Sequence, residues 1–125
     1  LHILNLGHSW LAERWQAAGA RPGATVREAL ADRATRAALD DLLAQEVTPG
    51  FAARGLEAEA RRYAATTIER FANPYLDHLL SDIHAHHRQK VSKRIGAFVR
   101  WVDEAAAHPP AMPQLRALAA RYAAL

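Results

Sequence analysis

The chain lacks cysteine altogether, which excludes disulfide bonds and thiolate metal ligands. It has no apolar run near the roughly 18 residues that a membrane-spanning helix needs, and no signal peptide is visible. Glycine and proline number six each, and the β-branched residues that favour strands are scarce. These absences predict a protein with no membrane partner and with little β-sheet.

Alanine, the strongest helix former, accounts for 29 of the 125 residues. Half of the residues are hydrophobic and 23% are charged, as is typical of a globular domain. The length suits one domain with a modest core. We therefore predict a single all-α domain over residues 1–125. Because the first residue is Leu1 rather than Met, we expect the chain to be a piece of a longer protein.

Lysine is scarce as well, since 14 of the 16 basic residues are arginine, against 13 acidic residues. The planar guanidinium group of arginine suits carboxylates and phosphates, although a skewed genomic base composition produces the same excess. The formal net charge of +3 is weak support for a nucleic-acid partner, and none is expected.

The spacing of the apolar residues predicts about six helices with short connections, which is typical of a helical bundle. Thr25 and Glu28 have the spacing of a capping box, and Asp32 is placed to cap the following helix. Residues 48–50 (Thr-Pro-Gly) are predicted to interrupt that helix, and residues 73–74 (Asn-Pro) to end another. The predicted elements are an extended segment at 1–5 and helices at 6–19, 25–31, 32–47, 56–72, 75–89, 91–107 and 113–124.

Asn5 and His8 lie at the predicted start of the first helix, Asn5 just before it and His8 in its first turn. Their amide and imidazole groups can converge on one point and hydrogen-bond the oxygen of a carbonyl or an alcohol. The alternative is structural, with Asn5 as the helix cap and His8 as a partly buried core histidine. The spacing alone leaves both interpretations open.

Arg70, Asn73 and His78 surround the predicted helix end, with Arg70 one turn before the break and His78 one turn after it. The Asn-Pro pair turns the chain sharply at this point. A structural interpretation is a corner between two helices, in which Arg70 binds helix-terminal carbonyls and Asn73 forms an Asx turn.

Lys90 and Arg94 are four residues apart, and His87 is three residues before Lys90, so that the three can share one helix face. A cationic face suits a carboxylate or a phosphate. A metal site would need two or three converging histidines and usually a carboxylate. His84 and His87 have a usable spacing, but His86 points elsewhere on a helix. A solvated basic face is therefore favoured, and no metal is expected.

Three motifs, in this order and spacing, resemble the C-terminal domain of the mannitol dehydrogenase family. They are residues 5–9 (Asn-Leu-Gly-His-Ser), residues 70–74 (Arg-Phe-Ala-Asn-Pro) and residues 90–94 (Lys-Val-Ser-Lys-Arg). The resemblance covers nearly the whole chain and includes residues 46–49. It implies a cytoplasmic polyol, hexuronate or sugar-phosphate dehydrogenase. It also implies an N-terminal Rossmann domain that binds NAD or NADP, onto which this helical domain closes over the sugar.

The resemblance also implies roles for individual residues. Asn5 and His8 match the catalytic residues that hydrogen-bond the reacting oxygen. The catalytic base of the family is a lysine that would directly precede Leu1, so this chain alone is not expected to be active. The remaining matches are expected to contact or frame the substrate, and they are Arg70, Asn73 and Lys90, with His78 and Arg94 matching less generally.

Residues 86–88 are His-His-Arg, whereas polyol and mannonate-type members of the family usually carry Asp-Gly-Ser at this place. This difference argues against plain mannitol as the substrate. Residues 77–83, with Lys90 and Arg94, are more similar to tagaturonate reductases, also called altronate oxidoreductases. We therefore expect a keto-sugar acid or a polyol as substrate, with the tagaturonate or fructuronate type favoured. Mannitol and mannitol 1-phosphate dehydrogenases are the alternatives within the family. A basic helical module that binds nucleic acid or protein is the alternative from another class.

Overall fold

The computed structural model describes residues 3–73 and 77–123. Over these ranges the chain forms seven helices and no strand beyond a single bridge, so the all-α prediction is confirmed. None of these helices is long and apolar enough to cross a membrane. The helices are α1 (Ile3–Ala17), α2 (Val26–Ala31), α3 (residues 33–52), α4 (Glu57–Phe71), α5 (Leu80–His84), α6 (residues 87–105) and α7 (Pro113–Ala123).

Helix α1 begins at Ile3, so the prediction of an extended segment is wrong for residues 3–5. Ile3, Leu6 and Trp10 lie at helical spacing and are all buried, and this burial outweighs the short apolar–polar alternation. Leu1 and His2 lie outside the described residues.

Two predicted helix starts are confirmed in atomic detail. The Thr25 hydroxyl accepts a hydrogen bond from the Glu28 backbone N–H at 3.2 Å and caps α2. The Asp32 carboxylate accepts one from the Thr35 N–H at 3.0 Å and caps α3. Because Asp32 follows Ala31 directly, α2 and α3 meet at a tight corner.

Helix α3 continues through Pro49, so the predicted interruption at residues 48–50 is wrong. A proline inside an α-helix lacks the N–H donor and clashes with the carbonyl one turn earlier. Here a π turn at Leu43–Val47 precedes the proline, and the Thr48 N–H donates to the Leu43 carbonyl. The wider turn accommodates the proline ring, and the helix resumes at Thr48–Ala52.

The predicted helix over residues 75–89 is also wrong. The chain is extended at His78 and Leu79 and pairs with the segment before α2, where the Val26 N–H donates to the His78 carbonyl at 2.9 Å. Helix α5 covers only Leu80–His84, and His86, with φ of +57°, separates it from α6. Histidine is among the residues that tolerate this left-handed conformation. Pro74, Tyr75 and Leu76 lie outside the described residues.

The side chain of Glu46 is buried and fixes the start of α7. Its carboxylate lies in the π turn of α3 and accepts hydrogen bonds from the Leu115 N–H at 2.9 Å and the Gln114 N–H at 3.3 Å. A negative charge at a helix N-terminus satisfies free N–H groups and complements the helix dipole. Glu46 therefore joins α3 to α7.

Helix α1 occupies the centre of the domain and packs against α2, α4, α5 and α6. It buries Leu6, Trp10 and Leu11 in the core, and burial of such apolar side chains is the main source of stability. Since α1 is central, the last turn of α4 and the middle of α6 both reach its first two turns, which carry Asn5 and His8.

Candidate active site

The His8 imidazole is the best-defined part of the site. It is half-buried on the second turn of α1, and the Phe71 ring at the end of α4 stacks on it, with 4.7 Å between ring centroids and 21° between planes. The His78 ring lies 5.5 Å from it at a tilt of 45°. Residues from α1, α4 and the extended segment before α5 therefore meet at His8.

Burial and, after it, the charges of nearby basic groups together lower the pKa of His8 to about 4. These groups are His78, Arg94, Arg70 and Lys90, in decreasing order of effect. The imidazole is therefore neutral at pH 7 and offers one N–H donor and one ring-nitrogen acceptor. Five of the seven predicted site residues, His8 and these four, are close enough to interact electrostatically.

Asn5 lies in the first turn of α1, two residues after the helix begins, so the alternative role of Asn5 as helix cap is wrong. Asn5 and Arg70 line an open cavity of about 490 Å³ between α1 and α4. Tyr63, an aromatic residue that is 62% exposed, lies on the same cavity. The amide of Asn5 and the guanidinium of Arg70 can therefore reach one ligand.

Arg94 approaches the site from a second π turn, Ser92–Gly96, in the middle of α6. Its Nη1 donates to Oγ of the buried Ser9 at 3.3 Å. Burial lowers the pKa of Arg94, although the group stays charged. π turns recur at functional positions because they displace a side chain from the regular helical register. Here the turn places a cation next to the residue that follows His8.

Lys90 has a structural contact that the sequence did not suggest. Its Nζ donates to the Ile83 carbonyl at 2.9 Å and lies 3.5 Å from the Asp82 carbonyl, at the C-terminal end of α5. Burial and the Arg94 charge lower the pKa of Lys90. Lys90 therefore caps α5 and contributes positive charge at His8.

His87 does not join Lys90 in the site. Its Nε2 lies 2.9 Å from Oε1 of Glu13 on α1, and its ring stacks on His84 at 4.4 Å. Among the described residues, no group of three or more histidines and carboxylates has the geometry to hold a metal ion.

Asn73 and His78 flank the three residues that lie outside the described ranges. The Asn73 backbone N–H donates to the Arg70 carbonyl at 3.2 Å, just past the end of α4. The predicted position of His78 within a helix is wrong, since its carbonyl belongs to the extended pairing with α2. Its exposed side chain nevertheless lies next to His8.

The sequence did not assign roles to Gly7, Ser9 and Phe71, which all contact site residues. All three residues lie inside the motifs at residues 5–9 and 70–74, and this position is the sequence feature that could have pointed to them. Their roles depend on contacts between α1, α4 and α6, which spacing within one helix does not predict.

A sequence model of the mannitol dehydrogenase C-terminal domain matches residues 1–124. No curated protein and no solved structure matches the chain. The matched range contains every residue of the site described above.

Proposed function

Because the chain belongs to the mannitol dehydrogenase family as its C-terminal domain, we propose that it forms the substrate side of an NAD- or NADP-dependent oxidoreductase. The reaction is hydride transfer between the nicotinamide and the carbon of a keto-sugar acid or polyol, while the lysine that the family uses as general acid/base gives or takes the proton on the oxygen. The donor set of this chain, two amides, two imidazoles and three cations, suits the oxygen atoms of such a substrate. The nicotinamide, held by the N-terminal Rossmann domain, supplies or accepts the hydride.

The observation that carries the proposal is a neutral imidazole surrounded by basic groups. During reduction, negative charge develops on the carbonyl oxygen. A neutral His8 can donate its N–H to that oxygen, and the amide of Asn5 can donate a second hydrogen bond. Arg70, Lys90 and Arg94 lower the electrostatic cost of the developing charge. Preorganised donors of this kind supply much of the rate enhancement in reactions that pass through an oxyanion.

The same cations indicate the substrate class. Four basic groups, His78, Arg94, Arg70 and Lys90, lie close enough to His8 to act on it by their charge. An anionic substrate would neutralise part of this charge, whereas a neutral polyol would leave it unbalanced. We therefore favour a keto-sugar acid of the tagaturonate or fructuronate type, with Arg70, Lys90 and Arg94 on its carboxylate or distal hydroxyls. Asn73 and His78 frame the substrate. A sugar phosphate shares this anion chemistry, and mannitol does not.

The test is steady-state kinetics of the complete protein on tagaturonate, fructuronate, fructose 6-phosphate and fructose. We expect the highest kcat/KM on one of the two sugar acids. His8→Ala should lower kcat/KM on that substrate by roughly 10²-fold or more, the usual cost of losing an oxyanion donor. Unchanged kinetics in His8→Ala would remove His8 from the site.

Arg94→Gln separates the substrate class from the reaction type. It should lower kcat/KM on the sugar acid more than on fructose, because only the acid carries a full negative charge. Arg100→Gln is the matched control, since Arg100 lies exposed on the same helix and outside residues 86–88, and it should affect neither substrate. Equal losses on both substrates in Arg94→Gln would argue against recognition of an anion.

A further inference from the structure

Phe71 touches α1 at two adjacent residues. The ring is buried, with 3% of its residue surface exposed, and stacks nearly parallel on the His8 imidazole. At Gly7, an added Cβ atom would lie 3.1 Å from Cε2 of Phe71 and 3.2 Å from Cζ. The ring therefore lies against the bare backbone of α1 at Gly7 and against the side chain of His8 at the same time.

The contact at Gly7 limits where the Phe71 ring can lie. Because a side chain at position 7 would press on the ring edge, glycine allows α4 and α1 to approach this closely. An imidazole on an open helix surface rotates about its side-chain torsions, whereas a stacked ring restricts that rotation. The stacked ring also keeps water from one face of the imidazole.

We propose that Phe71, seated against Gly7, is a positioning residue that holds the His8 imidazole in the orientation needed by the reacting oxygen. This inference rests on the proposed function, in which His8 contacts that oxygen. Phe71 itself does not contact the reacting atoms in this scheme and acts through His8.

The Phe71 ring also affects the protonation of the His8 imidazole, because it buries one face of it. Burial is the largest cause of the low pKa of His8, ahead of the charges of His78, Arg94, Arg70 and Lys90. A smaller side chain at position 71 would admit water to the imidazole and raise its pKa from about 4 towards 6.5. In such a variant the imidazole would begin to protonate between pH 6.5 and pH 4, where the wild-type ring is still neutral.

The experiment compares Phe71→Leu, Gly7→Ala and the double variant in the complete enzyme. Phe71→Leu should lower kcat by up to roughly 10²-fold, the cost of a misplaced catalytic group. It should also move the acid limb of the kcat profile to higher pH. Gly7→Ala should cost less in the Phe71→Leu background than in the wild type, because leucine lacks the Cε2 and Cζ atoms that the new methyl group would meet.

Phe51→Leu is the matched control, because Phe51 is also buried but packs on Phe98 and Trp101. It should lower thermal stability and leave the pH profile of kcat unchanged. If Phe71→Leu does not fold, Gly7→Ala carries the same test, since alanine is well accepted inside a helix. The imidazole resonances of His8, assigned with His8→Gln, provide a readout of the pKa that does not depend on activity.

The possible results separate the two proposals. An unaltered pH profile and an unaltered His8 pKa in Phe71→Leu would overturn the positioning role while leaving the proposed function intact. Additive effects of Gly7→Ala and Phe71→Leu would also overturn it. Normal kinetics in His8→Ala would instead remove His8 from the proposed active site, and the positioning role of Phe71 with it.

Discussion

The His8 imidazole lies on the second turn of a central helix, with one face against an aromatic ring and basic groups around it. Each of these surroundings opposes protonation, since burial removes water and the cations repel a further positive charge. At pH 7 the neutral ring offers one N–H donor to an oxygen and keeps its other ring nitrogen as an acceptor. This arrangement links the low pKa directly to the chemistry that we propose.

The low pKa of His8 also predicts how folding depends on pH. In the unfolded chain this imidazole takes up a proton below about pH 6.5, whereas in the folded protein it does so only below about pH 4. The unfolded state therefore binds more protons in this window, and stability must fall as the pH falls from 6.5 to 4. We expect the urea midpoint of the complete protein to fall less steeply over this window in His8→Gln than in the wild type.

His108→Gln is the control for that titration, because His108 is exposed in the connection between α6 and α7. It should leave the pH dependence of the wild type unchanged. Identical slopes for His8→Gln and the wild type would contradict the low pKa of His8. His84, whose pKa is also lowered by burial, contributes with the same sign and remains in both variants.

The motifs predicted Asn5, His8, Arg70, Lys90 and Arg94 as candidate site residues, and the fold brings their helices together. They could not predict that Lys90 binds the end of α5, because α5 was expected to be part of a longer helix. The supporting contacts at Gly7, Ser9 and Phe71 link separate helices. The spacing of residues along the sequence predicts which side chains are neighbours within one helix, and it does not predict contacts between helices.

Among the elements, α7 depends on a carboxylate that belongs to another helix. Glu46 is 3% exposed and accepts hydrogen bonds from the backbone of Gln114 and Leu115. Glu46→Ala would leave these N–H groups without their charged partner, and such bonds contribute about 1.5–3 kcal/mol. We expect amide exchange of α7, measured by mass spectrometry on the complete protein, to become faster while α4 stays unchanged.

Glu59→Ala serves as the comparison for Glu46→Ala, since Glu59 is half-exposed on α4 and forms a long ion pair with Arg62, 3.9 Å between Nη2 and Oε1. We expect Glu59→Ala to leave the amide exchange of α7 unchanged, because exposed ion pairs contribute little to stability. Equal protection of α7 in Glu46→Ala and the wild type would show that the carboxylate does not hold this helix.

The helix starts at Thr25 and Asp32 were predictable because a cap is a local arrangement of a side chain and a backbone N–H only three residues away. Pro49 misled the prediction because the π turn before it is not encoded by any simple residue pattern. The break at His86 was not predicted, because residues other than glycine rarely adopt the left-handed conformation that separates α5 from α6. Both errors concern backbone geometry that is stabilised by packing elsewhere in the molecule.

At the scale of the whole molecule, the two long helices α3 and α6 form a close contact. Both contain a π turn, and that of α6 carries Arg94. At Gly50 of α3, an added Cβ atom would lie 2.6 Å from Cζ of Phe98 and 3.0 Å from Cγ2 of Val102, both on α6. Phe98 is itself enclosed by Phe51 and Trp101, so its ring has little room to move. The distance between α3 and α6 is therefore set by the missing side chain at position 50.

Gly50→Ala should force the two helices apart and destabilise the protein by about 1–3 kcal/mol, the usual cost of overpacking a core. Gly96→Ala is the matched comparison, because it also replaces a helical glycine, yet its Cβ would lie 3.4 Å from the movable Nη1 of Arg100 and 3.8 Å from the Val91 carbonyl oxygen, which are ordinary contact distances. Both changes gain the same helix propensity, up to about 1 kcal/mol, so their difference isolates the packing term. Gly96→Ala should therefore raise the Tm of the complete protein or leave it unchanged, while Gly50→Ala lowers it. If the two variants shift the Tm equally, the close approach at Gly50 does not limit the packing of α3 on α6.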